Sequence, residues 1–171
     1  MPKGSRNDAP RDEYGDRLSD SACTPAWLAE ALGEFDLDPC SNARSHIRAA
    51  RCVTKADGLL PGEAVVLDKP RGAWRVFCNP PYSNPTPWVR GYWDTDFTFL
   101  CRWDPRPRWF ARLVSQTAWF WHPFKLAFEA PPGIPPYKVS QAPHALYFAS
   151  KPADSVFRSL ADMGVWAERR R

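Results

Sequence analysis

Histidine is scarce in this chain and its cysteines follow no ligand spacing, and both absences narrow the chemistry. His46, His122 and His144 stand far apart, and the cysteines at 23, 40, 52, 78 and 101 form no Cys-x-x-Cys pair. Neither pattern suits zinc, so no metal centre is expected. The odd cysteine number points to reduced thiols in a cytoplasm rather than to a disulfide framework. No uninterrupted apolar run is long enough to span a bilayer, so no membrane partner is expected. The opening "MPKGSRNDAPRDEYGDRLSD" also lacks the apolar segment of a secretory signal. Glycine is sparse, nine residues in 171, and none falls in the stretch "DLDPCSN".

Proline, arginine and tryptophan are what the chain does have. There are 19 prolines and nine tryptophans, and 23 Lys plus Arg against 19 acids leave a net charge of +4. A mild basic excess permits an anionic partner without requiring one. Arginine with tryptophan suits phosphates and stacked bases, although tryptophan fills cores equally well.

Residues 1–20 are polar and aperiodic and read as a disordered or loosely docked arm. Residues 21–171 are long enough for one domain with a real core. In "CTPAWLAEALG", Thr24 suits an N-cap and Pro25 the first helical position, with Trp27, Leu28, Ala31 and Leu32 as an apolar stripe. "EFDLD" reads as a strand closed by Pro39, "ARSHIRAARCV" as a short helix, and "RVFC" as a buried strand. "PTPWVRGYWD" reads as a short helix, "DFTFLCRWD" as a strand and "PRPRWFARLVSQTA" as a proline-initiated helix. "WFWH" begins a strand leading into a proline loop. "HALYFAS" is a further strand, and "DSVFRSLADMGVW" a last helix. Strands alternating with helices predict a layered α/β sheet.

The sharpest local feature is "RVFCNPPYSN". Proline cannot donate to a sheet ladder, so Pro80 ends the strand at once. It also holds Asn79 in extended geometry. A stiff corner at the carboxyl end of a strand is where open α/β sheets keep their ligands. Asn79 and Tyr82 belong to that corner. The exocyclic amine of adenine is a poor nucleophile because its lone pair is conjugated into the ring. The Asn79 side-chain oxygen and the Pro80 carbonyl, gripping its two N–H bonds, would favour a pyramidal nitrogen and free the pair. Tyr82 suits stacking on a base that has left its duplex.

Asn79, Pro80, Pro81 and Tyr82 match the motif of amino-group DNA methyltransferases. The wider text resembles the phage-encoded DNA N6-adenine methyltransferase family. The likeness runs through "TPAWLAEALGEFDLDPCSN", "ADGL", "VFCNPPYS" with Trp88 beyond, and "FLCRWDPRPRWF", then more weakly through "FKLAFEAPPGIPP" and "HALYF". These blocks cover roughly residues 22–150 in order. The resemblance implies a Rossmann-like methyltransferase fold, a mostly parallel central sheet with helices on both faces. It implies S-adenosylmethionine as donor and DNA adenine as acceptor, with protection of phage or prophage DNA from restriction as the purpose.

By the same resemblance, Asp38 takes the donor's ammonium group and Pro39, Cys40 and Ser41 wrap the donor. Thr24 and Pro25 touch its carboxylate. Asp57 takes its adenine amine or ribose hydroxyls, backed by Gly58 and Leu59. Arg106, Arg108, Arg112 and Trp88 are the candidates for contact with DNA. Each residue has a plainer alternative. Asn79 is able to cap a loop, Tyr82 to fill core, Asp38 to form an Asx-turn before Pro39, Thr24 to cap a helix and Asp57 to make an ordinary turn. The arginines suit a solvated helix face. Other functions stay open at this point: a non-catalytic module that binds DNA or a partner, or methylation of cytosine N4, RNA or protein glutamine. A thiolate route through Cys78 is disfavoured, because that thiol lies on the strand side of the corner.

Overall fold

The computed structural model describes residues 18–122, 126–133 and 142–168. Its strands are β1 (Glu34–Asp38), β2 (Arg48–Cys52), β3 (Arg75–Cys78), β4 (Asp96–Arg102), β5 (Trp119–His122), β6 (His144–Phe148) and β7 (Val165–Glu168). They form one sheet in the order β2-β1-β3-β4-β6-β5-β7. Pairing is parallel across β2, β1, β3 and β4. It is antiparallel where β6 meets β4 and β5, and where β5 meets β7. The sheet is therefore mixed, and its parallel half carries the corner.

Side-chain alternation along β3, β4 and β6 divides the core into two faces. Phe77, Leu100, Leu146 and Phe148 pack with Leu28 and Leu32 of α1 (Ala26–Leu32) and with Val156 and Leu160 of α4 (Asp154–Leu160). Val76, Phe97, Phe99 and Tyr147 pack instead with Val89 of α2 (Thr86–Gly91) and with Phe110 and Leu113 of α3 (Arg108–Gln116). Helices thus cover both faces. β3 is short because Pro80 and Pro81 follow it, and three of its four residues are buried.

Three local expectations are corrected. The expected helix in "ARSHIRAARCV" is β2, an edge strand whose Ala49 and Arg51 pair with Phe35 and Leu37. Sheet pairing overrides the helix preference of Ala and Arg there. The expected last helix ends at Leu160, a single 3₁₀ turn follows over Ala161–Met163, and "VWAE" forms β7 beside β5. Thr24 does not cap α1; Pro25 is the capping residue, and its carbonyl accepts from the Leu28 and Ala29 amides. Of the expected N-terminal arm, residues 1–17 lie outside the described residues, as do 134–141 of the proline loop and Arg169–Arg171. Leu18–Ser21 form a 3₁₀ turn. Among the described residues no helix is long and apolar enough to cross a membrane.

Candidate active site

From β1 the chain moves outward to β2 and then returns to β3 on the other side of β1. The connections leaving β1 and β3 therefore diverge, which makes the carboxyl ends of these two strands a topological switch point. Asp38 ends β1, and Asn79 follows β3. A cleft of about 580 Å³ opens there. Its walls are the loop after β1 (Pro39, Cys40, Ser41, Asn42), the segment after β2 (Thr54, Gly58, Leu59) and the corner itself (Asn79, Pro81), closed by Trp88. Sequence blocks separated by tens of residues thus meet at one place.

Asn79 is the central group. Its Nδ2 donates to the hydroxyl of buried Thr24 at 3.3 Å, while its Oδ1 is buried and accepts from nothing among the described residues. A buried acceptor without a donor carries a desolvation cost of about 1–3 kcal/mol. With its nitrogen on Thr24, the amide leaves its carbonyl oxygen for a donor from outside the chain.

The loop after β1 manages its turn without glycine by turning its polar groups on itself. Asp38 is only 2% exposed. Its carboxylate accepts from the Cys40 amide at 3.1 Å and from the Ser45 hydroxyl at 3.4 Å, an Asx-type turn. The Asp38 carbonyl and the Ser41 amide bond to the Val53 backbone at 2.8 and 2.9 Å, fastening the loop to the end of β2. Burial pushes the Asp38 carboxyl up to about 6. The side chain shapes the loop and does not line the cleft. The Cys40 and Cys78 sulfurs lie 3.5 Å apart behind it, and burial raises both thiols. Cys78 is fully buried in the core. Arg44 ties the far side of the loop down through the carbonyls of Ser21 and Ala130.

Asp57 is also occupied locally. Its carboxylate accepts from the Thr54 amide at 2.6 Å and the Thr54 hydroxyl at 2.9 Å, a capping box. Those bonds hold the Asp57 carboxyl below its ordinary range. Gly58 follows with φ at 64°, a conformation that glycine adopts at little cost. Gly58 and Leu59 line the cleft; Asp57 faces Thr54. Pro25 and Pro80 do not reach the cleft wall, and Pro80 is buried beneath the corner.

The carboxylate that does line the cleft belongs to the polar run expected to form an arm. Asp20 stands on the cleft wall, and its Oδ2 is buried without a partner among the described residues. The only signal in the sequence is its position just ahead of Thr24 and Pro25.

Tyr82 turns into the protein. Its hydroxyl donates to the Leu100 carbonyl at 3.4 Å, and its ring meets Phe128 edge-on at 5.9 Å and His144 at 4.9 Å. The Arg102 guanidinium lies over the same ring at 5.1 Å. Burial and the Arg102 charge bring His144 down to about 4, so its imidazole is neutral at pH 7. This cluster props the corner from beneath, and no open Tyr82 face is left on the cleft side.

Among the candidates for DNA contact, Trp88 lines the cleft. Arg106 precedes α3 rather than lying on it, and makes a two-pronged ion pair with Asp104 at 2.8 Å. Arg108 and Arg112 are exposed on α3, with Arg112 over the Trp93 ring at 4.0 Å. No group of three metal-ligating side chains gathers among the described residues. No family model, curated protein or solved structure matches this chain.

Proposed function

We propose that the protein is an S-adenosylmethionine-dependent methyltransferase acting on the exocyclic amine of adenine in DNA. The observation that carries this reading is the buried, unpartnered Oδ1 of Asn79, set at the switch point on the wall of the 580 Å³ cleft. The seven-stranded sheet with helices on both faces agrees with the Rossmann-like architecture that the sequence resemblance implies.

The residues present fit such a donor. Asp20 offers a carboxylate oxygen with no partner of its own, suited to an ammonium group. Cys40 and Ser41 wall the cleft on one side, and Gly58, Leu59 and Trp88 on the other. When bound, the donor supplies an electrophilic methyl group on a sulfonium. The protein's part is to present the amine. Asn79 Oδ1 would accept one N–H of the adenine amine and leave nitrogen density free for the methyl carbon, whereas the Pro80 carbonyl expected to take the other N–H belongs to a residue off the cleft wall. An amide suits this step better than a carboxylate base does, because the amine would attack first, with the methyl–sulfur bond breaking to leave a neutral thioether, and its proton would pass to solvent afterwards. Thr24 occupies the amide nitrogen, which leaves the oxygen for the amine. The Tyr82–Phe128–His144 cluster stiffens the corner, and stiffness is what such preorganised contacts require.

The test is mass spectrometry of nucleosides from DNA incubated with the protein and methyl-labelled donor. Labelled N6-methyladenine is expected. Label on cytosine N4 alone would move the acceptor, and unlabelled DNA with no donor binding would overturn the reading.

A further inference from the structure

The segment from Asn79 to Trp88 is a wall with a cavity on each side. Asn79, Pro81 and Trp88 face the cleft already described, whereas Tyr82 to Thr86 line a second cavity of about 480 Å³ beneath the start of α3. A further recess of about 290 Å³ between α2 and α3 adjoins that cavity, and the two share Thr86, Pro107 and Trp109. These adjoining recesses together are the groove.

The groove is cationic. Arg102 and Arg106 line its first part, and Arg90, Arg108 and Arg112 its second. Among the described residues Asp104 is the one carboxylate on either wall, and Arg106 already holds it. Among the described residues, Arg90, Arg102, Arg108 and Arg112 pair with no carboxylate. Arg102 Nε is buried without a partner. α3 begins here with no side chain capping its amides, so its first N–H groups add to the positive field. Ordinary solvated arginines stand on convex faces. These line a recess, with the half-buried indole of Trp109 at its junction.

We propose that this groove binds a single strand of nucleic acid, its phosphates along Arg90, Arg102, Arg108 and Arg112 and a base against Trp109. A recessed cationic channel with an aromatic platform fits an unpaired strand, whereas a duplex is met by an element that protrudes into its grooves. The assignment of this strand as the one carrying the target base rests on the methyltransferase reading; strand binding itself does not.

The test is fluorescence anisotropy with a short labelled oligothymidine and no methyl donor. That probe contains no adenine, so it separates the groove from the proposed catalysis. Wild-type affinity is expected to fall as salt rises. The triple variant Arg90→Gln, Arg108→Gln, Arg112→Gln is expected to flatten the log–log salt slope by about 2, at roughly 0.7 for each phosphate no longer neutralised. Trp109→Ala is expected to weaken binding roughly five- to hundredfold at constant slope. Arg48→Gln with Arg158→Gln, outside the groove, is the control and is expected to leave binding in place. The three groove arginines are exposed, so the triple variant decides the matter even if Trp109→Ala melts early. An unchanged slope in the triple variant, an equal loss in the control, or tighter binding to duplex than to strand would overturn the proposal.

Discussion

At the scale of single residues, Asp38 and Asp20 differ in surroundings, one bonded within its loop and the other on the cleft wall, and substitution separates them. Asp38 is buried, and its carboxyl is raised from 3.8 to about 6 by desolvation. The neutral form is therefore the better accommodated one in the folded protein. Its contribution to stability is fully present below pH 3.8 and is lost as pH rises through about 6. Asp38→Asn keeps an acceptor for the Cys40 amide and removes the charge. At neutral pH it should stabilise the fold by on the order of 2–3 kcal/mol, with the advantage vanishing near pH 4. Chemical denaturation of both proteins across that range checks the sign. Asp20→Asn should instead weaken S-adenosylmethionine binding about ten- to hundredfold, the usual cost of losing a charge-assisted hydrogen bond. Calorimetric titration measures it, and equal donor affinity in the Asp20 variant would contradict the assignment. The residue types at the corner were legible in "CNPPY", because two prolines leave the backbone few options. The direction in which Tyr82 points was not legible. It follows from Phe128, His144 and Arg102, which come from other parts of the chain.

At the scale of elements, helix and strand identity came through wherever a local rule and the tertiary structure agree. β3, β4, β6, α2 and α3 lie where apolar patterning and proline place them. β2 and β7 do not announce themselves. β2 is mostly exposed, so it shows no buried alternation, and only pairing with β1 makes it a strand. β7 begins directly after Gly164 and sets Trp166 opposite Trp121. A Cβ at Gly164 would lie 2.1 Å from the Trp121 indole nitrogen, so the glycine there admits a packed ring. α2 carries a comparable constraint that yields a prediction. A Cβ at Gly91 would lie 2.8 Å from the Pro61 carbonyl carbon and from the Gly62 amide nitrogen, both backbone atoms. In an unencumbered helix, Gly→Ala adds about 1 kcal/mol of stability. Here Gly91→Ala should reverse that sign and cost about 1–3 kcal/mol through overpacking. Thermal melting that shows the variant at or above the wild-type midpoint would refute the close docking of α2 on the 61–62 turn.

At the scale of the whole molecule, function follows from strand order. Parallel pairing of β2, β1, β3 and β4 brings the carboxyl ends of all four to one edge, and the reversal between β1 and β3 opens the cleft. Neither the order nor the reversal can be read locally, yet they bring Asn79 to the residues from 39 to 59 that line the cleft. The central claim is that the free oxygen of Asn79 presents an amine to a methyl donor held in that cleft. Single-turnover methyl transfer to an adenine-containing strand, compared between wild type and Asn79→Ala with donor affinity titrated in parallel, tests it most directly. The account predicts a rate ~10²–10³ lower in the variant, the usual effect of deleting a group aimed at the reacting atom, with donor affinity kept. An unchanged rate in Asn79→Ala, or no transfer by the wild type, would contradict it.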